Sequence, residues 1–204
     1  MFCFSLRREN DEKLSNNISR AKSRVTELAL CNDWEYFVTL TLSEDKQNRF
    51  DLQGYIKDLG NWIGNYNRKY GCHLRYIIIP EFHKDGAVHA HGLLCGVQDE
   101  SLCKNEYGFM DLPYYRNRFG FISLGKIRDK EKVSRYITKY ITKGFCDRAK
   151  GEHMFYASRG LMGAEKIHEG VCRSYELQFE NDYCAIEWGT SAEELLRKVT
   201  EFNI

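Results

Sequence analysis

Proline is nearly missing from this chain: Pro80 and Pro113 are the two prolines in 204 residues. That scarcity argues against Pro-rich linkers and disordered spacers. No run of about 18 apolar residues occurs, so no transmembrane helix is expected. The opening MFCFSLRREN lacks an apolar stretch long enough for a secretory leader, and the expectation is a cytoplasmic chain. Eight cysteines, at positions 3, 31, 72, 95, 103, 146, 172 and 184, form no CxxC pair and no zinc-knuckle spacing. They are expected to be reduced and mostly structural. The phosphate-loop pattern GxxxxGK followed by Ser or Thr is absent, so no helicase motor is expected. Net charge is also small, +1, which argues against a uniformly basic coat for nucleic acid.

The charge is unevenly spread. Arg116 to Lys150 holds eleven Lys or Arg against three Asp or Glu, whereas Val171 to Ile204 holds three against seven. A locally basic segment can bind phosphate while the whole molecule stays near neutral. Hydrophobic residues make up 43% and aromatics 14%, enough for a real core in one domain.

Apolar spacing predicts a helix over 13–31 and a strand over 35–42, EYFVTLTL. In that strand Val38, Leu40 and Leu42 face one way, and Phe37, Thr39 and Thr41 the other. Asp51 should cap a helix that runs to Tyr70 and stops at Gly71. Strands over 74–82 and 87–96 flank KDG, a hairpin turn. Residues 97–120 read as loop, 121–127 as a strand and 129–143 as a helix ended by Gly144. Short strands are predicted over 153–158, 173–180 and 183–188, the last two joined at Asn181-Asp182, with a closing helix from Ser191. The pattern implies α+β: a central antiparallel sheet with flanking helices.

The segment IIPEFHKDGAVHAHGLL, 78–94, joins an acid to two histidines across the turn. Residues at i and i+2 share a strand face. Pairing through KDG sets Glu81 opposite His89 and Ile79 opposite His91, so Glu81, His89 and His91 converge on one face. Two nitrogens and a carboxylate suit a divalent cation with open coordination positions. His83 has the same parity and is a spare candidate. Small Ala90 and Gly92 on the opposite face allow a helix to pack closely. An HxH pair alone is more often merely hydrogen-bonded; the carboxylate across the hairpin makes this one a candidate site.

VSRYITKYITK, 133–143, sets Tyr136, Lys139, Tyr140 and Lys143 in one arc of a helix, beside an apolar stripe of Val133, Ile137 and Ile141. A phenol is a poor nucleophile until cationic groups favour its phenolate and a metal polarises the target phosphate. Its product with DNA, a phosphotyrosine ester, conserves the energy of the cut bond for later resealing. An ordinary amphipathic helix would also carry this pattern; the doubled YxxK and the histidine hairpin upstream favour chemistry.

These motifs, in this order, resemble those of the HUH endonucleases, and among them the phage-type rolling-circle replication initiators. FVTLTL is similar to their first motif, PEFHKDGAVHAHGLL to the metal motif with its upstream Glu, and YITKYITK to the two-tyrosine motif. FYASRGL, 155–161, resembles a stretch that follows the tyrosine helix. The resemblance covers about 35–161 and implies an RRM-like palm of about five strands. It divides the chain into a helical segment (1–34), a catalytic core (35–161) and strands and a helix completing the same domain (162–204). It implies Mg²⁺ or Mn²⁺ on Glu81, His89 and His91, Tyr136 and Tyr140 as nucleophiles, and Lys139 and Lys143 aiding phenolate formation or holding the phosphate. The implied partners are single-stranded DNA at a replication origin and a host helicase and polymerase, in a bacterial cytoplasm.

DNA contacts are expected from Thr39 and Thr41 and from the basic residues Arg116, Arg118, Lys126, Arg128, Lys130, Lys132 and Arg135. Tyr114, Tyr115 and Phe119 nearby would either stack bases or fill the core. A conjugative relaxase or single-strand transposase would share the chemistry. A non-catalytic, RRM-like binder of single strands would leave the histidines inert.

Overall fold

The alternation in YFVTLT and the Asp-Gly turn produce what they imply, a five-stranded antiparallel sheet with helices on both faces. The computed structural model describes residues 2–149, 151–172, 184–191 and 194–201. Helix α1 (Phe2–Cys31) leads into β1 (Tyr36–Thr41), α2 (Leu52–Tyr70), β2 (Arg75–Phe82) and β3 (Val88–Cys95). The two-residue strands β4 (Cys103–Lys104) and β5 (Met110–Asp111) form a small hairpin within the segment expected to be loop. Then come α3 (Pro113–Arg116), β6 (Ile122–Lys126), α4 (Lys130–Ile137), α5 (Lys143–Arg148) and β7 (Tyr156–Ala157). The main sheet runs β6-β1-β3-β2-β7.

Helix α2 begins and ends for local reasons. The Asp51 carboxylate accepts from the Gly54 amide, and Gly71 adopts φ 59°, a left-handed cap that glycine reaches without strain. Its Leu52, Tyr55, Leu59, Trp62, Ile63 and Tyr66 cover the sheet face made by Val38, Leu40, Ile78, Ala90 and Leu94. On the opposite face, Val25, Leu28 and Ala29 of α1 and Ile137 of α4 pack on Ile77, Ile79 and Leu93.

Gly92 sits where the first of these layers is tightest. A Cβ there would come 2.5 Å from the Ile77 carbonyl oxygen and 2.5 Å from Ile78 Cδ1. The backbone oxygen cannot yield without moving the β2–β3 ladder. Gly92→Ala is therefore expected to destabilise the fold by about 1–3 kcal/mol, seen as a lower thermal midpoint. An unchanged midpoint would mean that the strands separate freely at this point.

Three expectations need correction. The helix predicted over 129–143 stops early: α4 ends at Ile137, a 3₁₀ turn spans Thr138–Tyr140, and Ile141 is extended. Thr138 Oγ1 donates to the Arg135 carbonyl, and Thr142 caps a new helix through the Phe145 amide, so the β-branched Ile-Thr pairs restart the chain rather than continue the turn. Gly144 accordingly lies inside α5. The closing helix is replaced by β10 (Glu194–Glu201), the central strand of a second sheet with β8 (Glu165–Cys172) and β9 (Cys184–Ser191). Strand pairing on both edges of β10 overrides the helical propensity of ELLRKVTE. No strand was predicted over 165–172, where β8 stands. The strand predicted over 173–180 and its Asn181-Asp182 turn lie outside the described residues.

Candidate metal and tyrosine site

The hairpin turn is closed by His83 N donating to the Ala87 carbonyl, with Gly86 at φ 90°. This geometry sets the register Glu81↔His89 and Ile79↔His91 that the sequence implies. Glu81, His89 and His91 form a cluster that could hold a metal ion, with their ligand atoms within 4.8 Å of one another. His89 Nε2 lies 2.9 Å from His91 Nε2, which lies 3.2 Å from Glu81 Oε2. His83 packs its ring on His89, centroids 4.5 Å apart, and stands outside the trio.

The neighbouring strand orients both imidazoles. In β1, Thr39 is opposite His91 and Thr41 opposite His89. Thr39 Oγ1 lies 3.2 Å from His91 Nδ1, and Thr41 Oγ1 lies 3.4 Å from His89 Nδ1. The threonines thus meet the far side of each ring, a role that residue type alone did not suggest. With Nδ1–H donated to the hydroxyl, each Nε2 turns its lone pair toward the other and toward Glu81. Three electron-rich atoms so close together repel unless a proton or a cation stands among them.

Burial, with a further contribution from His83, lowers the His89 pKa to about 4. Burial first, then His89, Lys139 and His83, lowers that of His91 to about 3. An unfolded imidazole takes up its proton near 6.5, so between that pH and about 4 the unfolded chain binds more protons than the folded one. Stability of the metal-free protein is then full above pH 6.5 and falls as pH drops through this window. The expected loss in thermal midpoint is on the order of 5–10 °C, and it should shrink in His89→Gln/His91→Gln. A midpoint with the same pH profile in both proteins would contradict these assignments.

The tyrosines lie on the same side of the sheet. The Tyr140 ring stacks on His91 at 3.5 Å between centroids, with 19° between planes. Its hydroxyl donates to Tyr136 Oη at 3.0 Å. Phe37, on the face of β1 that carries the threonines, touches both tyrosine rings and stacks on His91. Its alternation with Thr39 and Thr41 is the sequence signal that could have added it to the site. Lys139 Nζ stands 3.4 Å from the Tyr136 ring centre and 4.9 Å from that of Tyr140. Hydrogen bonding to Lys139, and then to Tyr140, lowers the Tyr136 pKa below that of a free phenol. Burial, and then the bond to Tyr136, raises that of Tyr140. Tyr136 is 46% exposed and open to a substrate. Lys143 is not on this helix; it opens α5 after the break at Ile141.

The basic residues scatter. Lys126, Arg128, Lys132 and Arg135 are exposed on β6, α4 and the link between them, with Lys132 paired to Asp129. Lys130 pairs with Asp33, Arg118 with Asp58 of α2 and Arg116 with Asp111, so three of the expected phosphate contacts already hold carboxylates. Tyr115 and Phe119 are fully buried against α2 and cannot stack bases, while Tyr114 packs on Trp62. Basic and aromatic residues alternate in this segment because α3 turns one face into the core.

Residues 35–145 match the replication-associated protein family of the ORF2 type. The chain belongs to this family. The matched span contains the metal cluster, both tyrosines and the four long strands of the main sheet. No curated protein and no solved structure matches the chain. Membership in the replication-associated family ties the chain to replication and hence to DNA. Among the described residues, no helix is long and apolar enough to cross a membrane.

Proposed function

We propose that this protein is an HUH-type endonuclease that starts rolling-circle replication by nicking single-stranded DNA at an origin and holding the cut end on tyrosine. One observation carries the reading: the Tyr140 ring lies on the ring of His91, and its hydroxyl joins that of Tyr136. Nucleophile candidates and ligand candidates therefore share one face and one contact network. The catalytic core is taken as residues 35–161, with 1–34 and 162–204 attached to it.

Glu81, His89 and His91 would hold Mg²⁺ or Mn²⁺. Ligand atoms about 2.1 Å from an octahedral ion stand about 3.0 Å apart, against about 3.4 Å around a tetrahedral one. The separations of 2.9 and 3.2 Å fit the octahedral case better. When bound, such a cation draws charge from a phosphate oxygen and opens the phosphorus to attack. Lys139 favours the phenolate of Tyr136 and can neutralise the phosphate beside it. A phenol oxygen forms a bond to phosphorus as the bond from phosphorus to the 3′ oxygen breaks. The phenolic proton ends on that oxygen, leaving a free 3′ hydroxyl and a 5′-phosphotyrosine. Attack by a 3′ hydroxyl reverses the step, and the released phenol regains its proton. With two phenols in contact, one can hold a strand while the other attacks. Helicase and polymerase would come from a bacterial host, and the reaction would run in its cytoplasm.

Thr39 and Thr41 hold the imidazoles with Nε2 facing the cation. Thr39→Val/Thr41→Val is expected to weaken Mn²⁺ binding by about 10–100-fold in titration calorimetry, with the fold intact. Unchanged affinity would remove the threonines from the site. The function itself is tested by incubating the protein and Mn²⁺ with a broad pool of single-stranded oligonucleotides, then running a denaturing gel. The expected result is a slower protein band, sensitive to nuclease and abolished by chelator. If no sequence in the pool yields such a band, the proposal fails.

A further inference from the structure

A second cavity, of about 440 Å³, opens where the β4–β5 hairpin meets the start of β6. Lys104, Tyr107, Asp111, Arg116 and Phe121 are among the residues that line it. Two of these are aromatic and lie open to solvent: Tyr107 is 74% exposed and Phe121 54%. Large exposed aromatics are held there by local structure. Asn105 Oδ1 accepts from the amides of Tyr107 and Phe109, fixing the hairpin loop.

The floor of the cavity has an unmet hydrogen-bonding demand. Asp111 is 3% exposed, and its Oδ2 accepts from Arg116 Nε at 2.7 Å. Its Oδ1 is buried and accepts from no donor among the described residues. An unpartnered buried acceptor is unfavourable, and native structures seldom leave one without a reason.

The cavity is also placed beside the metal cluster. Thr41 N donates to the Phe121 carbonyl, which extends the β1–β6 ladder by one residue. Thr41 is opposite His89, and His89 opposite Glu81. One row thus runs across the sheet as Phe121, Thr41, His89, Glu81. Ile122 and Leu124 are buried on the α2 side, so alternation turns Phe121 to the face that bears the histidines. Two strand spacings put Phe121 about 10 Å from His89.

We propose that this cavity is a base-reading pocket for a nucleotide of the same single strand, with guanine as the base it prefers. This rests on the reading of the chain as an enzyme of single-stranded DNA. The base stacks on Phe121 and Tyr107. Guanine N1–H or N2–H₂ donates to Asp111 Oδ1, reached as the half-exposed Arg116 side chain swings outward. The guanidinium then donates to guanine O6 and N7, the acceptors that arginine recognises best. Lys104 meets the adjoining phosphate.

The test uses fluorescence anisotropy with Tyr136→Phe/Tyr140→Phe protein, which cannot cut its probe. The probes are a dT12 strand and the twelve versions with one dG at each position in turn. One dG position is expected to tighten binding at least fivefold over dT12. Phe121→Ala should weaken every probe about tenfold, and Phe121→Trp should restore affinity. Asp111→Asn should keep the dT12 affinity within twofold and erase the dG preference. Should Asp111→Asn unfold by circular dichroism, the surface variants Phe121→Ala and Tyr107→Ala decide. Binding unaffected by both, or a dG preference that survives Asp111→Asn, overturns the pocket. Unaltered protein that still forms the covalent adduct in that case leaves the nickase reading standing; absence of any adduct removes that reading separately.

Discussion

Tyr136→Phe/Tyr140→Phe is expected to lose the covalent DNA adduct by ~10³-fold or more while remaining folded and able to bind Mn²⁺. The substitution removes two oxygens and nothing else. Phenyl rings at these positions keep the stack on His91 and the contacts with Phe37. The bond lost between the hydroxyls lies at the surface, where its net contribution to stability is small, about 0.5–1.5 kcal/mol. Each single variant should retain part of the activity, because either phenol lies on the face of the ligand cluster. Tyr136→Phe should lose more of the first cut, since Tyr136 is the more exposed hydroxyl and the one whose proton Lys139 loosens. Adduct formed by the double variant at the native rate would assign the nucleophile elsewhere.

His89→Gln/His91→Gln is expected to reduce cleavage by about 10²–10⁴-fold and to remove Mn²⁺ binding at micromolar concentrations. The same variant should be as stable as the native protein in chelator at pH 7, or more so. The native trio, without a cation, faces lone pairs and a carboxylate toward one another at 2.9 and 3.2 Å. Relief of that crowding offsets what the substitution loses in packing, a trade common at sites shaped for ligands. Excess Mn²⁺ should raise the thermal midpoint of the native protein and leave that of the variant unmoved. A variant that cleaves at full rate, or a native protein indifferent to Mn²⁺, would contradict the metal assignment.

Much of this arrangement is legible in the chain itself, and the reasons are local. The Asp-Gly turn fixes the count across the β2–β3 hairpin, so the facing of Glu81 and His89 follows from number alone. The i, i+4 spacing of Tyr136 and Tyr140 survives the change from α to 3₁₀ turn between them, and their hydroxyls still meet. Lys143 falls away because Thr142 offers the backbone a cap of its own, a competition that helical periodicity does not register. Thr39 and Thr41 read as candidate DNA contacts until the pairing of β1 with β3 sets them beside two imidazoles, a long-range fact. Tyr115 and Phe119 looked available for stacking because the sequence shows them beside arginines; α3 turns them inward, and the exposed rings are Tyr107 and Phe121 instead. The C-terminal ELLRKVTE has good helix formers, and only its neighbours β8 and β9 make it a strand.

The most direct measurement is the mass of the peptide that carries DNA after trypsin and nuclease digestion of the adduct. Cleavage after Arg135, Lys139 and Lys143 releases Tyr-Ile-Thr-Lys twice, from 136–139 and from 140–143. The account predicts a nucleotide on Tyr-Ile-Thr-Lys, linked through its 5′ phosphate, in adduct made with Mn²⁺ and in none made with chelator. A nucleotide on any other peptide of the chain would contradict it.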